Sequence, residues 1–335
     1  MALVKSRAEY LAALEQTLKG IVRYEGTPYG DYSLMLFYHL GWENHGQTDF
    51  VAGKRTRPFV TMLCAAAAGI DWRQALPFAA GVELIHNFSL VHDDIQDVSP
   101  LRHARATVWS LWGKNQAINA GDALFAYAHL AMQHATTLSE ELRVRAIHVL
   151  DAACISLTQG QHLDMAYERR DSISVEEYML MVSGKTAALL ATAAELGAIA
   201  ADAEPDVCAN YREFGQQLGL AFQIRDDLLG IWGDSSVTGK SAQTDIERRK
   251  KTLPIVYALE KMPELSAAYV SLDRGGASKE TIVRSLEDCA ARAYAEKEER
   301  LHAERALAAL EAAAPDGQAG DNLRELTYQL LGRSN

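Results

Sequence analysis

The chain carries, at residues 86–97, the stretch HNFSLVHDDIQD. This apolar, helix-like run ends in three carboxylates, Asp93, Asp94 and Asp97. At about 100° per residue, Asp93 and Asp97 lie one turn apart on the same helix face, with Asp94 beside them. Like charges this close need a counter-ion, which could be a divalent metal, a partner Arg or Lys, or solvent on an exposed face.

A second apolar stretch also ends in two carboxylates, at residues 219–230, GLAFQIRDDLLG. Helical spacing places Gln223, Asp226 and Asp227 on one face, while apolar side chains can pack behind them. One acidic helix end is commonplace, but two apolar helices that each end in a pair of Asp are not. The two stretches together favour a functional site over two solvated faces.

Basic residues cluster at two further helix starts. Residues 53–58, GKRTRP, place three cations in four positions ahead of an apolar run, which suits either a solvated helix start or an anion site. Residues 183–186, SGKT, lack the first Gly of a P-loop and follow no strand signal, so a nucleotide site is rejected. Lys185 is then either a snorkelling surface lysine or an anion ligand.

The remaining pattern predicts one all-α domain over residues 1–335. Pro is absent between Pro100 and Pro205, no Gly/Ser-rich linker interrupts the chain, and strand signals are missing, so long helices are expected. A hydrophobic share of 48% and a charged share of 23% are ordinary for a soluble globular protein.

Charge and apolar patterning exclude several classes of function. The formal net charge of -11 argues against a nucleic-acid surface, although a small anionic ligand stays possible. The N-terminus lacks a secretory apolar core, and segments 59–70 and 186–201 are too short or too interrupted to span a bilayer. We therefore expect a cytoplasmic protein.

The cysteines form no CxxC pair, so neither a zinc site nor a disulfide framework is predicted. We expect four reduced core residues: Cys64, Cys154, Cys208 and Cys289.

Taken in order, the motifs resemble the trans-isoprenyl diphosphate synthases of the polyprenyl synthetase family. The resemblance covers roughly residues 50–255 and includes GKRTRP, ELIH, DDIQD, Arg102, GD at 121–122, GQHLD, GKT, FQIRDD, TGK and KKTLP. It implies a single all-α domain of antiparallel helices around a deep cavity, usually in a homodimer. It also implies condensation of isopentenyl diphosphate with an allylic diphosphate to give a short all-trans prenyl diphosphate.

The resemblance assigns the metal ligands. Asp93, Asp97 and Asp226 would hold Mg²⁺, in three ions once substrate is bound, with Asp94 and Asp227 in support. Mg²⁺ prefers one or two carboxylates together with substrate phosphate oxygens, which suits a site that is completed only by its substrate.

The resemblance also assigns the substrate contacts, in two groups. The first binds the allylic diphosphate and comprises Arg102, Lys185, Thr186, Gln223, Lys240 and Lys250. The second forms a metal-free basic pocket for isopentenyl diphosphate and comprises Lys54, Arg57 and His86. No side-chain nucleophile is required, because positioning and electrostatics do most of the catalysis.

Two positions depart from the family pattern. Gly230 stands where the second acidic motif usually has its last Asp, a variant that some members share. His103 stands where a second consecutive Arg usually contacts isopentenyl diphosphate. This change replaces a permanent bidentate cation with a group that is neutral through much of the physiological pH range. Arg105 is a candidate replacement.

Phe88 is the candidate residue for limiting product length, because it lies about 7.5 Å before Asp93 along the helix axis. It is either an ordinary core aromatic or the floor that stops the growing chain. An aromatic residue there, with a first acidic motif that lacks an insertion, resembles members that make geranylgeranyl diphosphate and then those that make farnesyl diphosphate.

Two alternatives stay open. A terpene cyclase on the same fold would ionise a single allylic diphosphate, and the change at His103 motivates this alternative. A non-catalytic subunit of a heteromeric synthase would show no turnover alone, and the retained carboxylates make this the weakest hypothesis.

Overall fold

The computed structural model describes residues 2–23, 26–43, 53–103, 105–233, 244–270 and 278–332. Nearly all regular structure in these ranges is helical, which confirms the all-α prediction. Strand occurs there only as an antiparallel pair, β1 (Leu101–Arg102) with β2 (Arg105–Ala106). The sequence did not predict this pair, because two-residue strands are too short to show an alternating pattern.

The helices of the first half are long and joined by short connections, and a 3₁₀ turn at Trp72–Ala75 leads into the fourth. They are α1 (Ala2–Ile21), α2 (Gly30–Leu40), α3 (Thr56–Ala67), α4 (Leu76–Gln96), α5 (Val108–Trp112), α6 (Lys114–Gln133) and α7 (Glu140–Glu168).

The second half continues the pattern, with one π-helical segment, Ser183–Ala187, between its first two helices. The helices are α8 (Val175–Val182), α9 (Ala188–Ala200), α10 (Pro205–Trp232), α11 (Thr244–Glu247), α12 (Leu253–Lys261), α13 (Leu265–Val270), α14 (Lys279–Asp288), α15 (Ala291–Ala312) and α16 (Gly317–Leu330).

The chain divides into two compact units, each discontinuous in sequence; the single-domain organisation stays a prediction. The first comprises Met1–Asp151, Thr192–Cys208 and Pro315–Leu323. The second comprises Ala152–Ala191, Ala209–Ala314 and Arg324–Asn335.

Close packing of α4 on α6 organises the first unit. A Cβ added at Gly81 of α4 would lie 2.7 Å from the Met132 sulfur of α6. A Cβ added at Gly121 of α6 would overlap the His92 imidazole of α4. Each helix therefore has a glycine at the point where a side chain of the other helix packs against it. This close packing fixes α4, which carries the first acidic stretch.

The second unit has a core built around α8, α10 and α12. Tyr178, Ile224 and Val256 are fully or almost fully buried in it. Burial of side chains of this size stabilises the fold by roughly 1.5–3 kcal/mol each. This packing fixes α10, which carries the second acidic stretch.

Among the described residues, one helical stretch, Val175–Ala200, is apolar and long enough to pass a length and composition test for a bilayer span. Most of its apolar window, 61%, is buried inside the fold, as in a core helix. All four cysteines are free, and all but Cys289 are buried.

Candidate active site

The first acidic stretch closes α4. The helix ends at Gln96, and the backbone N–H of Asp97 donates to the Asp93 carbonyl at 2.8 Å. Asp93 is half-buried and Asp97 is exposed, so both carboxylates are accessible to a ligand. Asp94 points inward and is only 3% exposed. The three carboxylates therefore have different environments.

Asp94 holds Arg102. The Nε and Nη2 atoms of Arg102 both lie 2.9 Å from Oδ1 of Asp94. Burial raises the pKa of Asp94 to about 6, although the guanidinium opposes this shift. In this geometry Asp94 orients a cation at the acidic end of α4.

The GKRTRP cations have three different environments. Lys54 is exposed, and its carbonyl accepts a 2.7 Å hydrogen bond from Arg7. Arg55 is buried and donates to Glu15 at 2.9 Å and to Glu83 at 2.6 Å. Arg55 therefore joins α1 and α4, and removing one member of such a buried pair costs about 3–5 kcal/mol.

Arg57 and His86, predicted to share a pocket, are in contact, with Nη1 of Arg57 3.2 Å from Nε2 of His86. A guanidinium can only donate, so Nε2 accepts and a neutral ring carries its hydrogen on Nδ1. Burial lowers the pKa of His86 well below its ordinary value, and the charges of Arg57 and Arg102 lower it further. A neutral histidine thus contacts one cation and lies in the electrostatic field of a second, an arrangement suited to an anion.

His103, at the position of the family's second arginine, and Arg105, its candidate replacement, have different environments. His103 is exposed and takes a left-handed conformation, with φ of 52°, between β1 and β2. Arg105 lies 3.5 Å from the Tyr38 ring centroid and donates to the Glu43 carbonyl at 2.6 Å. Arg105 thus fastens the β1–β2 hairpin to α2.

Phe88 lies in an aromatic group. Its ring makes edge contacts with His92, at 5.0 Å between centroids, and with Phe125 of α6, at 5.3 Å. Phe88 is half-buried, and Phe125 is 36% exposed. Phe125 was not singled out from the sequence, because nothing in its local pattern distinguishes it from a core aromatic.

In the second unit, two glycines bring α7 against the π segment. A Cβ at Gly160 would overlap the Lys185 backbone, and one at Gly184 would lie 2.6 Å from the Ser156 carbonyl oxygen. At this crossing, Lys185 forms an ion pair with Asp164. The sequence predicted a regular helix here; the π turn is a correction, and such turns occur frequently at functional sites.

A hydrogen-bonded chain links the next predicted residues. Thr186 Oγ1 donates to Gln223 Oε1 at 2.9 Å, and Gln223 Nε2 donates to Asp227 Oδ1 at 3.0 Å. Oδ2 of Asp227 accepts from the Tyr178 hydroxyl at 2.5 Å and from the Leu253 N–H at 2.8 Å. Both oxygens of Asp227 are therefore engaged, whereas Asp226 beside it is exposed.

Burial raises the pKa of Asp227 to about 7, against the hydrogen bonds from Tyr178, Leu253 and Gln223. Asp227 thus anchors the start of α12 to α10, while Asp226 is the carboxylate of this pair that can meet a ligand.

Asp245 is a candidate site residue to which the sequence assigned no role. Its carboxylate lies against Gly230, where a Cβ would overlap Oδ2, and its Oδ1 lies 3.3 Å from the Lys250 ammonium. A carboxylate therefore stands beside the position of the missing last Asp. The signal available in the sequence was an Asp five residues before Lys250, after a motif that ends in Gly. Lys240 lies outside the described residues.

The exposed carboxylates suit a metal that shares its ligands with a substrate. Throughout the described part of the chain, no three His, Cys, Asp or Glu side chains form a group that could hold an ion by themselves. Accessible Asp oxygens that supply only part of a coordination shell fit Mg²⁺, which keeps waters and binds substrate phosphates.

Comparison with known proteins gives consistent matches. The geranylgeranyl diphosphate synthase of Mycobacterium tuberculosis is 45% identical over 242 residues, which is 70% of this chain and 68% of that protein. A (2E,6E)-farnesyl diphosphate synthase of Mycobacterium bovis is 43% identical over 224 residues, 66% of this chain and 62% of that protein. The crystal structure of a polyprenyl synthetase from Streptomyces coelicolor superposes with a TM-score of 0.86 at 35% identity, covering 96% of this chain and 99% of the other.

The family model described as polyprenyl synthetase matches residues 45–287, and this confirms the resemblance seen in the motifs. With most of its length matched by that model, the chain belongs to the polyprenyl synthetase family.

Proposed function

We propose that the protein is a Mg²⁺-dependent trans-prenyltransferase that condenses isopentenyl diphosphate with an allylic diphosphate. The observation that carries this proposal is the Arg57–His86 contact behind the acidic end of α4, in a chain of this family. A basic pair set apart from the accessible carboxylates suits a second diphosphate that binds without metal. Our first candidate for the product is geranylgeranyl diphosphate and our second is farnesyl diphosphate, after the names of the two relatives.

The carboxylates of Asp93, Asp97 and Asp226 are our candidates for the metal, with three ions in the substrate-bound enzyme. When bound, Mg²⁺ stabilises the negative charge that develops on the departing diphosphate. Asp94 and Asp227 act indirectly, since Asp94 orients Arg102 and Asp227 anchors α12.

Cations of the chain meet the allylic diphosphate directly. The Lys185 ammonium leaves its ion pair with Asp164 and binds a diphosphate oxygen. The Lys250 ammonium, which pairs with Asp245, binds the same diphosphate. Charge-assisted hydrogen bonds of this kind strengthen as the leaving group gains charge, so they lower the barrier to ionisation. Four further contacts complete the assignment: Arg102, Thr186, Gln223 and Lys240.

Isopentenyl diphosphate binds to Lys54, Arg57 and His86, which holds its alkene over the allylic carbon. The alkene forms the new carbon–carbon bond as the allylic carbon–oxygen bond breaks, and loss of a proton restores a double bond. The chain grows by five carbons, and the side chains supply position and charge.

Exposed apolar residues support a homodimer. Ile118 and Phe125 lie two turns apart on α6 and are 44% and 36% exposed, and Val144 and Ile155 of α7 are 61% and 59% exposed. Large exposed apolar side chains on two consecutive helices suit an interface between two copies of this chain. The four free cysteines fit a reducing compartment, so we place the protein in the cytoplasm.

One incubation tests the function: purified protein with Mg²⁺, isopentenyl diphosphate and a C5, C10 or C15 allylic diphosphate, analysed by product mass. We expect consumption of isopentenyl diphosphate and a C20 or C15 product. Turnover of an allylic diphosphate alone to hydrocarbon or alcohol would identify a cyclase. Inactivity that only another subunit relieves would identify a non-catalytic partner, and either result contradicts the proposal.

A further inference from the structure

The last turn of α2 is fixed on both sides of His39. The Tyr38 hydroxyl donates to the Ala106 carbonyl of β2 at 2.6 Å, and the Leu40 carbonyl accepts from Nη2 of Arg55 at 2.8 Å. These two bonds tie α2 to the β1–β2 hairpin and to the start of α3. The backbone of the intervening residue, His39, is therefore held between two fixed neighbours.

His39 has a nitrogen without a partner. Its Nε2 atom is shielded from solvent and makes no hydrogen bond to the described residues, and the same holds for Nε of Arg57 in the same unit. Buried polar groups in folded proteins are nearly always satisfied, so each exception needs an explanation. Two buried nitrogens without a partner, each on a side chain in the electrostatic field of His86, are suited to an anion.

Charged and titratable groups on three neighbouring elements act on His39. They are Arg102 and Arg105 on the hairpin, Arg55 at the start of α3 and His86 on α4. Burial, together with the arginines, lowers the pKa of His39 to about 3, against a hydrogen bond with the Asn87 backbone. Because Nε2 has no partner, Nδ1 makes that bond, and the neutral ring has its lone pair on Nε2.

An arriving diphosphate changes this balance. Its negative charge offsets the arginines and favours the charged imidazole, which can keep its Nδ1 bond and donate from Nε2. The proton comes from solvent. The sequence has His103, which is exposed, where the family usually has a second arginine. The candidate replacement, Arg105, is engaged with Tyr38 and Glu43.

We propose that His39 is an additional binding residue for isopentenyl diphosphate: it takes up a proton as the substrate binds and donates from Nε2 to a diphosphate oxygen. His39 thereby supplies a contact that the hairpin lacks. This inference rests on the proposed function, because it takes the Arg57–His86 pocket to be the isopentenyl diphosphate site.

The first test measures binding without turnover. Isopentenyl diphosphate alone, with no allylic primer, is titrated into the protein by calorimetry in buffers of different ionisation enthalpy. We expect proton uptake with the wild type, its loss in His39→Gln, and wild-type behaviour in the exposed control His134→Gln. Uptake that persists in His39→Gln but disappears in His86→Gln would assign the proton to His86 and overturn the proposal.

The second test is kinetic. A charge-assisted hydrogen bond corresponds to about a 10- to 100-fold change in affinity, so the KM for isopentenyl diphosphate should rise by that factor in His39→Gln. The KM for the allylic diphosphate should stay within about twofold, because a binding residue for one substrate leaves the other site intact. Equal losses for both substrates would show a merely structural role and reject the inference.

A measurement on the wild type avoids dependence on folding of the variants. The ¹⁵N resonances of the His39 ring should shift from neutral to charged values when isopentenyl diphosphate is added, and no shift would refute the proposal. A failed proposed function is separable: a wild type that binds isopentenyl diphosphate through His39 but never extends an allylic primer refutes the prenyltransferase activity alone.

Discussion

The Asp245 carboxylate occupies the space that a side chain at Gly230 would need. A Cβ at that position would overlap Oδ2 and would lie 2.7 Å from Cγ. The glycine in the second acidic motif therefore leaves room for the present orientation of the Asp245 carboxylate, and a side chain at residue 230 would force that carboxylate to move.

Replacing Gly230 should disturb this arrangement. We expect Gly230→Ala to displace Asp245 and to separate it from Lys250, since overpacking of this kind costs about 1–3 kcal/mol of folding stability. The misplaced side chains should lower kcat by about 10-fold or more, because catalysis by positioning is sensitive to shifts of about 1 Å. Turnover at saturating substrate measures the effect. Gly20→Ala is the matched control, because a Cβ there meets nothing within 4 Å. Equal activity of the two variants would show that Asp245 has no part in catalysis.

The hydroxyl of Tyr178 should influence metal use from behind the site. Tyr178→Phe removes the 2.5 Å hydrogen bond to buried Asp227, which should lower the free energy of unfolding by about 1–3 kcal/mol. Because Asp226 is next in the chain, the Mg²⁺ concentration for half-maximal activity should rise by about 10-fold or more. Metal titration of activity checks this, with Tyr257→Phe as the control. An unchanged metal requirement would confine Asp227 to anchoring α12.

Two aromatic residues should set product length together. Phe88→Ala should lengthen the main product by at least one five-carbon unit, because the ring at this position is predicted to block the growing chain. Phe125→Ala should lengthen it as well, since its ring supports Phe88 at 5.3 Å. Product mass spectrometry measures both, with the exposed residue change Leu180→Ala as control. Unchanged length in Phe88→Ala would remove it as the floor.

The pair of His129 on α6 and Asp151 on α7, 2.6 Å apart, should give a pH-dependent stability. Burial lowers the pKa of His129, but its bonds with the Phe125 carbonyl and Asp151 outweigh burial and raise it. Because the pKa of His129 is higher in the folded than in the unfolded protein, protonated His129 stabilises the fold fully below about pH 6.5, the unfolded pKa. This contribution is lost as the pH rises through the pKa of the folded protein.

His129→Gln should therefore lower the free energy of unfolding at about pH 6 by up to about 1 kcal/mol, and by less at about pH 9. Urea denaturation at both pH values measures the difference, with the exposed change His148→Gln as control. A larger loss at the higher pH would contradict the assignment.

The sequence predicted the features that depend on local spacing. Helical periodicity predicted Asp93 and Asp97 one turn apart at the end of α4, where the structure has them. It also grouped Gln223, Asp226 and Asp227 on one face of α10, but Asp227 is buried against Gln223 while Asp226 is exposed. The family motifs assigned Arg57 and His86 to one pocket, and the two side chains are in contact.

Features that depend on distant partners could not be predicted. Arg55 and Arg57 look alike in the motif, but Glu15 and Glu83, far away in the sequence, form ion pairs with Arg55. Asp227 is buried because Tyr178 and the Leu253 N–H reach it from other helices. His39 escaped notice for the same reason: its environment is assembled by the hairpin, α3 and α4.

The crossing of α7 with the π segment has a consequence for how Lys185 responds to heat. Gly160 and Gly184 let backbone approach backbone, so the spacing there is set by van der Waals contact between backbone atoms and not by the rotamers of intervening side chains. Thermal loosening of side-chain packing can therefore alter other parts of the second unit while the Lys185 backbone keeps its distance from α7. The Lys185 backbone should move relative to α7 only when the two helices separate, whereas its ammonium can leave Asp164 by side-chain rotation alone.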